Sequence, residues 1–410
     1  MSSPENIPTS PYTIVRACMG RLIKSSLFAL LLTGNALSSA PMITIGDTAT
    51  IHVSAEAEFQ YLSNVTLATD PTSVVDDALI KFTPGFSFGL FEDSQITDFA
   101  IGAERGILQF MDNTVFNDEP WGLYMNTKYK GYPFAFSMDW HKQEQLQNIT
   151  SDPGLGEPTN DILQTVVEDF QINFDLSFSQ KLGIRTGIQW HIQDFTNPIY
   201  LDSDLFALPI TFFYKISPKL ESSVGYRFRN VETGSSAEHS DHYINLNLIG
   251  QMTQKTYLHL TFGFQNRNSD YVGFADSISN NTFSSNLGIT YNATEKIKLE
   301  AGIFRDFNVG ATAGESIEYT SANIGSTFYF TPSVFLGTRT SIWNADYSLL
   351  ERKDFGINSR TTLTLVPNDS PWLFRAGYHF DWAEFDFSVV GQSPDEYTNH
   401  KISLSTVYEY

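Results

Sequence analysis

From Thr50 onward, apolar side chains return at every second residue. Ile51, Val53, Ala55, Ala57, Phe59 and Tyr61 alternate with His52, Ser54, Glu56, Glu58 and Gln60. The same beat recurs through Ala78, Ile80, Phe82, Phe86 and Phe88, through Phe134, Phe136, Met138 and Trp140, and through Phe170, Ile172, Phe174, Leu176 and Phe178. Near the end it runs through Trp372, Phe374, Ala376, Tyr378, Phe380 and Trp382. Successive strand residues point to opposite faces, so this period specifies strands with one apolar and one polar side. None of these segments carries the three- and four-residue spacing of a helix. The closing stretch 401–410, KISLSTVYEY, keeps the beat with Ile402, Leu404, Tyr408 and Tyr410, and only Val407 breaks it.

The connections alternate in length. Tight turns are read at 92–95, 130–132, 179–181, 217–219, 253–255, 293–296, 331–333 and 367–371. Longer polar stretches are read between them, at 142–161, 232–240 and 265–280. Tight turns on one rim and long loops on the other are the plan of a transmembrane barrel. The count predicts an all-β fold, a single antiparallel transmembrane β-barrel of about 18 strands, with 16 or 20 as alternatives. An even number returns both ends of the wall to the tight-turn rim, and closure pairs residues 50–61 with 399–410. Trp372 and Trp382 share a face ten residues apart, about 33 Å along a strand. A tilt of about 40° projects that to roughly the 25 Å of an outward apolar band. A soluble β-sandwich, the competing fold, has shorter strands and no reason for aromatics at both ends of one strand.

Composition fits a lipid-facing surface. Aromatics make up 14% of the chain and charged residues only 17%, below the roughly 25% of globular proteins. The formal net charge of −21 argues against phosphate-mediated nucleic-acid binding. The single cysteine, Cys18, leaves no disulfide framework and no thiolate metal site. Residues 1–40 read as an export signal: Arg21 and Lys24 precede the apolar run LFALLL at 27–32, and small residues follow at 35–40. Met19 begins the stretch that has a signal's shape, so the expected start is Met19, with residues 1–18 an extension. The barrel domain then occupies 41–410, and export through a cleaved signal places it in the bacterial outer membrane.

The segment from Tyr61 to Leu90 resembles the start of the beta-barrel porin type 2 family, in Asn64, Asp76, Asp77, Pro84 and Gly85. The resemblance implies a bacterial outer-membrane barrel with a hairpin body running to the C-terminus, and it names no substrate.

Candidate chemistry is thin. Glu238, His239, Ser240, Asp241 and His242 gather imidazoles and carboxylates without a known ligand spacing, and read as a hydrated strand start. Asp139, His141, His191 and Asp194 lie near strand ends, where outer-membrane proteases keep catalytic groups, but no paired motif recurs. No catalytic, cofactor or metal role is therefore expected. The polar rows are more informative. Glu56, Glu58, Lys128, Asp139, Asp175, Arg185, Arg227, Arg229, Glu300, Arg339 and Arg375 fall opposite the apolar rows and are expected to face the lumen. Two readings follow: opposed charges set a transverse field that screens solutes, or they pair across strands and fill a closed lumen. The reading taken is a porin-like channel for small polar solutes with mild cation preference. A barrel with ligand-binding loops and an outer-membrane enzyme are the alternatives. Expected partners are outer-membrane lipids and the barrel-assembly machinery, met through Ile402, Leu404, Tyr408 and Tyr410 as an assembly signal.

Overall fold

The computed structural model describes residues 42–46, 48–92, 94, 96–147, 162–234, 237–273, 277–311, 314–349, 352–367, 370–387 and 395–409. Residues 1–40, which read as an export signal in the sequence, and Tyr410 lie outside these residues. The first strands are β1 (Ile43–Ile45), β2 (Ala49–Leu62), β3 (Asp77–Leu90), β4 (Thr97–Arg105), β5 (Ile107–Phe110), β6 (Trp121–Lys130) and β7 (Phe134–Gln147). Then come β8 (Leu163–Ser177), β9 (Leu182–Phe195), β10 (Ser203–Ser217), β11 (Leu220–Thr233), β12 (Ala237–Gln251), β13 (Thr256–Tyr271) and β14 (Ile278–Thr294). The last six are β15 (Ile297–Val309), β16 (Ser316–Thr331), β17 (Val334–Tyr347), β18 (Arg352–Leu365), β19 (Trp372–Phe387) and β20 (Asp395–Glu409).

Each wall strand pairs antiparallel with its neighbours, and β2 closes the circle on β20 from Ser54↔Glu409 to Leu62↔Lys401. The β1 segment is a short flap on the foot of β2. The pair β4 and β5 together make one wall strand, so the closed barrel has 18 strands. Their interruption has a local cause. The β3 ladder runs Gly85↔Glu104 and resumes at Phe82↔Ile107, which leaves Pro84 opposite the break. Proline has no N–H to give, and Gly106 N–H bonds the Pro120 carbonyl instead, at 2.7 Å.

Two kinds of row alternate along the wall. Val224, Tyr226, Ile244, Leu246, Phe262 and Phe264 belong to rows of exposed apolar side chains. The alternate rows hold side chains that reach non-neighbouring strands, such as Arg227 on β11 to Asp306 on β15. A bridge over intervening strands has to cross the interior, so the polar rows are inner and the apolar rows outer.

The tight-turn rim matches the sequence reading, with turns as short as Pro218-Lys219 and Pro332-Ser333. The long-loop rim matches only in part, and residues 148–161 lie outside the described residues. Only residues 234–236 separate β11 from β12, only 272–277 separate β13 from β14, and β7 continues through Gln147. The stretches 232–240 and 265–280 are mostly strand, not loop. On β13 the outer row passes from Phe262 and Phe264 to Asn266, Asn268 and Asp270. Above the apolar band the outer row turns polar like the inner one, so the polarity alternation disappears while the ladder continues. The wall therefore rises beyond the band as a polar collar.

At the collar end the interior is packed. Leu67, Ile317, Trp343, Ala345, Tyr347, Ala383, Phe385 and Tyr397 form one apolar cluster, and Leu62, Val65, Leu79 and Phe110 form another. The loop 63–76 supplies Leu67 with φ of +50°. Asn64 pins that loop, its side chain bonding Ala68 in both directions at 2.9 and 3.0 Å. Asp77 caps the neighbouring loop, accepting from the backbone and side chain of Asn113 at 2.8 and 3.0 Å. In the exposed part of the loop, Asp70 accepts from the Thr72 backbone and hydroxyl, which holds its carboxyl below the usual range.

Candidate functional site

The feature that sets this barrel apart is at the outer end of β15. The ladder between β14 and β15 stops at Ser285↔Arg305. Above it, β14 stays paired to β13 up to Ser269↔Ile278, and β15 stays paired to β16 up to Val309↔Ser316. The wall splits between these two hairpins, and the β15–β16 end lies inside the barrel.

Inner-row side chains of β11, β12 and β13 hold it there. Asp306 accepts from Arg227 and Arg229, each at 3.3 Å. Arg229 also donates to the Phe307 carbonyl at 3.2 Å, and Arg267 donates to the Asn308 carbonyl at 2.8 Å. His239 is fully buried, with Nε2 2.7 Å from the Gly314 carbonyl and Nδ1 2.8 Å from Ser269 Oγ. The carbonyl has no proton to give, so Nε2 is the protonated nitrogen. The Ser316 N–H donates to the Tyr271 hydroxyl at 3.1 Å, and Leu201 N–H to the Ala311 carbonyl at 2.6 Å. Beneath them Asp241 pairs with both Arg229 and Arg267 and is sealed from solvent. Three guanidinium groups and two carboxylates thus share one buried site. Charged groups are tolerated at such depth only when paired and hydrogen-bonded.

A cleft remains between the inserted end and the wall, lined among others by His191, Gln193, Leu205, Val231, Asn308 and Ala311. His191 turns Nδ1 to Asp169 at 2.8 Å, and its buried Nε2 has no partner among the described residues. Along the split the two hairpins are bridged by side chains, with buried Thr282 and Ser284 of β14 meeting Arg305 and Glu318. Thr282 Oγ1 donates to Glu318 at 2.8 Å and accepts from Arg305 Nε at 3.3 Å, while Arg305 also pairs with Glu318. The Ser284 hydroxyl donates to the Arg305 carbonyl at 2.8 Å.

The polar residues singled out from sequence lie on the inner rows, and most are engaged. Arg185 bridges Asp175 at 3.0 Å and Glu221 at 3.2 Å. Lys128 pairs with Asp98, and Arg339 with Glu300 at 2.7 Å. Glu58 lies directly across from Lys81, and Arg375 approaches Glu56 at 3.8 Å. Asp139 is buried. Arg227 and Arg229 alone of the set meet at the inserted strand end.

The carboxylates and imidazoles at 238–242 are divided by the pleat of β12. His239 and Asp241 go inward, whereas Glu238 and His242 face outward. Among the described residues no group of three or more histidine, aspartate or glutamate side chains has the placement to hold a metal ion. Asp194 is on the outer row of β9, away from the inner His191. Sequence reasoning missed Arg267 and Asp306. Arg267 sits in a stretch assigned to loop, and its pairing with Asp241 follows from a strand register that polar rows do not announce.

Ile402 and Leu404 are exposed on the outer row of β20. Tyr408 faces Trp372, with ring centroids 4.9 Å apart. Val407, the residue that breaks the alternation, is buried on the inner row.

No family model matches the chain, and no curated protein matches it. The resemblance to the type 2 porins therefore has no family model behind it. Among solved structures the chain is similar to the outer membrane protein OpdK of Pseudomonas aeruginosa. Identity is 11%, over 88% of this chain and 99% of that one, with a TM-score of 0.48. It is similar to OpdO of the same organism, at 13% identity over 88% and 95% with a TM-score of 0.46. For OprD the figures are 12%, 90%, 97% and 0.47.

Proposed function

We propose that this chain is an outer-membrane channel that admits small polar solutes by restricted diffusion. The observation that carries the reading is the inner wall: a closed 18-stranded barrel presents polar rows of both charge signs to its interior. A barrel of this strand number is wide enough to hold water unless elements inside it fill the space. Here an inserted strand end and the apolar clusters at the collar narrow it, so passage is selective by size rather than open. Acidic residues exceed basic ones by 46 to 25 over the chain. That excess concentrates cations at the mouths and favours their entry, an effect that salt weakens. On this reading Glu56, Glu58, Lys128, Asp139, Asp175, Arg185, Glu300, Arg339 and Arg375 line the path. The collar faces outward from the cell, and the last strand is read by the assembly machinery.

Packing of Leu67 into the mouth favours one other reading, a barrel whose outer end binds a partner and conducts nothing. Single-channel recording in planar bilayers at two salt concentrations separates the two. A channel gives discrete conductance steps with a cation preference that falls as salt rises. A silent bilayer containing folded protein rejects the channel.

A further inference from the structure

We infer that the outer end of β15, residues 306–309, exchanges between two seats: the arginine site inside the barrel and the free edge of β14 in the wall. Its effect on conduction rests on the channel reading above; the exchange itself does not.

Three observations carry the inference. The first is that two strand edges are left unpaired beside each other. Residues 278–284 of β14 have no partner on the β15 side, and residues 306–309 have none on the β14 side. Unpaired edges are templates for strand addition. Continuing the register from Ser285↔Arg305 would place Ser284 against Asp306, Phe283 against Phe307 and Thr282 against Asn308.

The second is the sequence of β15. Its outer row runs Ile297, Leu299, Ala301, Ile303 and Arg305, and continues to Phe307 and Val309. Phe307 thus has the parity of an outward wall residue and would stand beside Phe283, which is 57% exposed. In the inner seat Phe307 is buried, with the Arg267 guanidinium 4.8 Å from its ring centroid. The strand carries the pattern of a place it does not occupy.

The third is that the two seats are held by different bonds. In the inner seat Asp306 meets Arg227 and Arg229 at 3.3 Å, longer than the 2.7–2.9 Å of a strong charge-assisted bond, while Arg267 holds the Asn308 carbonyl at 2.8 Å. On the wall side, the closure consists of side chains, Thr282, Arg305 and Glu318, and only Ser284 touches backbone. Two discrete packings of one element over a common hinge at Arg305 make a bistable device. In the inner seat residues 306–309 narrow the interior beside β11 to β13. In the wall seat they leave it, and the split in the wall closes.

The test is a cysteine pair, Thr282→Cys with Asn308→Cys, in a chain whose only native cysteine is Cys18. Leu287→Cys with Ile303→Cys, neighbours in the existing ladder, serves as control, and gel mobility of the reduced proteins reports folding. Exchange predicts disulfide formation in the 282/308 pair under mild oxidation. Adding Asp306→Asn takes the charge out of both the Arg227 and Arg229 contacts of the inner seat and should speed that crosslink by about tenfold or more. A control that crosslinks beside a 282/308 pair that does not would overturn the exchange. In bilayers, oxidised 282/308 protein should conduct more than the same protein after reduction. An unchanged conductance in a crosslinked, conducting channel would overturn the role of the strand end as a plug. If no variant conducts, the channel reading fails, and the crosslink alone decides the exchange.

Discussion

Asp241 and Arg267 meet in two hydrogen bonds, at 2.6 and 2.8 Å, with neither side chain exposed to solvent. Arg229 joins them from the opposite strand. Removing one partner strands buried charge, which typically costs about 3–5 kcal/mol. Asp241→Leu should therefore lower the urea midpoint of the folded barrel strongly, as read by gel mobility without boiling. Leu at 241 combined with Met at both 229 and 267 should recover most of the loss, because no unpaired charge remains. A triple variant as weak as the single one would mean that the site stabilises through geometry rather than charge pairing.

Trp372 and Tyr408 pack across the last two strands with their ring planes tilted 57° to each other. An aromatic pair contributes about 0.5–1.5 kcal/mol beyond its buried area. Tyr408→Ala should slow assembly into the heat-modifiable form, and Tyr408→Phe should restore it. Deletion of Tyr410 is expected to impair assembly without reducing synthesis. Normal insertion of both the truncated and the Tyr408→Ala proteins would remove the last strand's outer row from the assembly signal.

Closure of the wall rests on β2 and β20, where Ala57 faces Thr406. Cysteines at these two positions should join within a single chain and give a faster-migrating denatured band. Intermolecular dimers alone would indicate an open sheet.

Gly356 lies across from Trp343 in the ladder of β17 and β18. A Cβ at 356 would sit 2.4 Å from the indole ring. Overpacking of this kind costs about 1–3 kcal/mol. Gly356→Val should push the Trp343 ring out of its buried place, raising its quenching by water-borne iodide or acrylamide. Unchanged quenching would show that the ring has room to turn aside.

The barrel was legible wherever lipid and interior differ in polarity. The rows of β2, β3, β7, β8 and β19, the tight turns and the pairing of first and last strands all follow from that contrast. Where the contrast ends, so does the signal. Residues 265–271 look like loop because both faces of β13 are polar there, yet they place Arg267. Residues 97–110 escaped notice because the strand is broken opposite Pro84, which the neighbouring strand's sequence decides. The inward turn of β15 is invisible in its own residues: Phe307 obeys the wall pattern, and only its departure from β14 buries it. The charged side chains alternate with the apolar rows, but their partners depend on register, as with Arg185 between Asp175 and Glu221.

The polar collar has a consequence for anything that touches this protein from its long-loop side. Between β11 and β12 and between β13 and β14, the projecting surface is a ladder of fixed register, and few residues there hang free. A ligand approaching that rim meets side chains contributed by adjacent strands, such as Asn266 with Ser279 and Asn281. Such a patch exists only while the strands are paired. Antibodies raised against the folded barrel should therefore fail on the boiled chain, and peptides copied from 232–240 or 265–280 should make poor mimics of it.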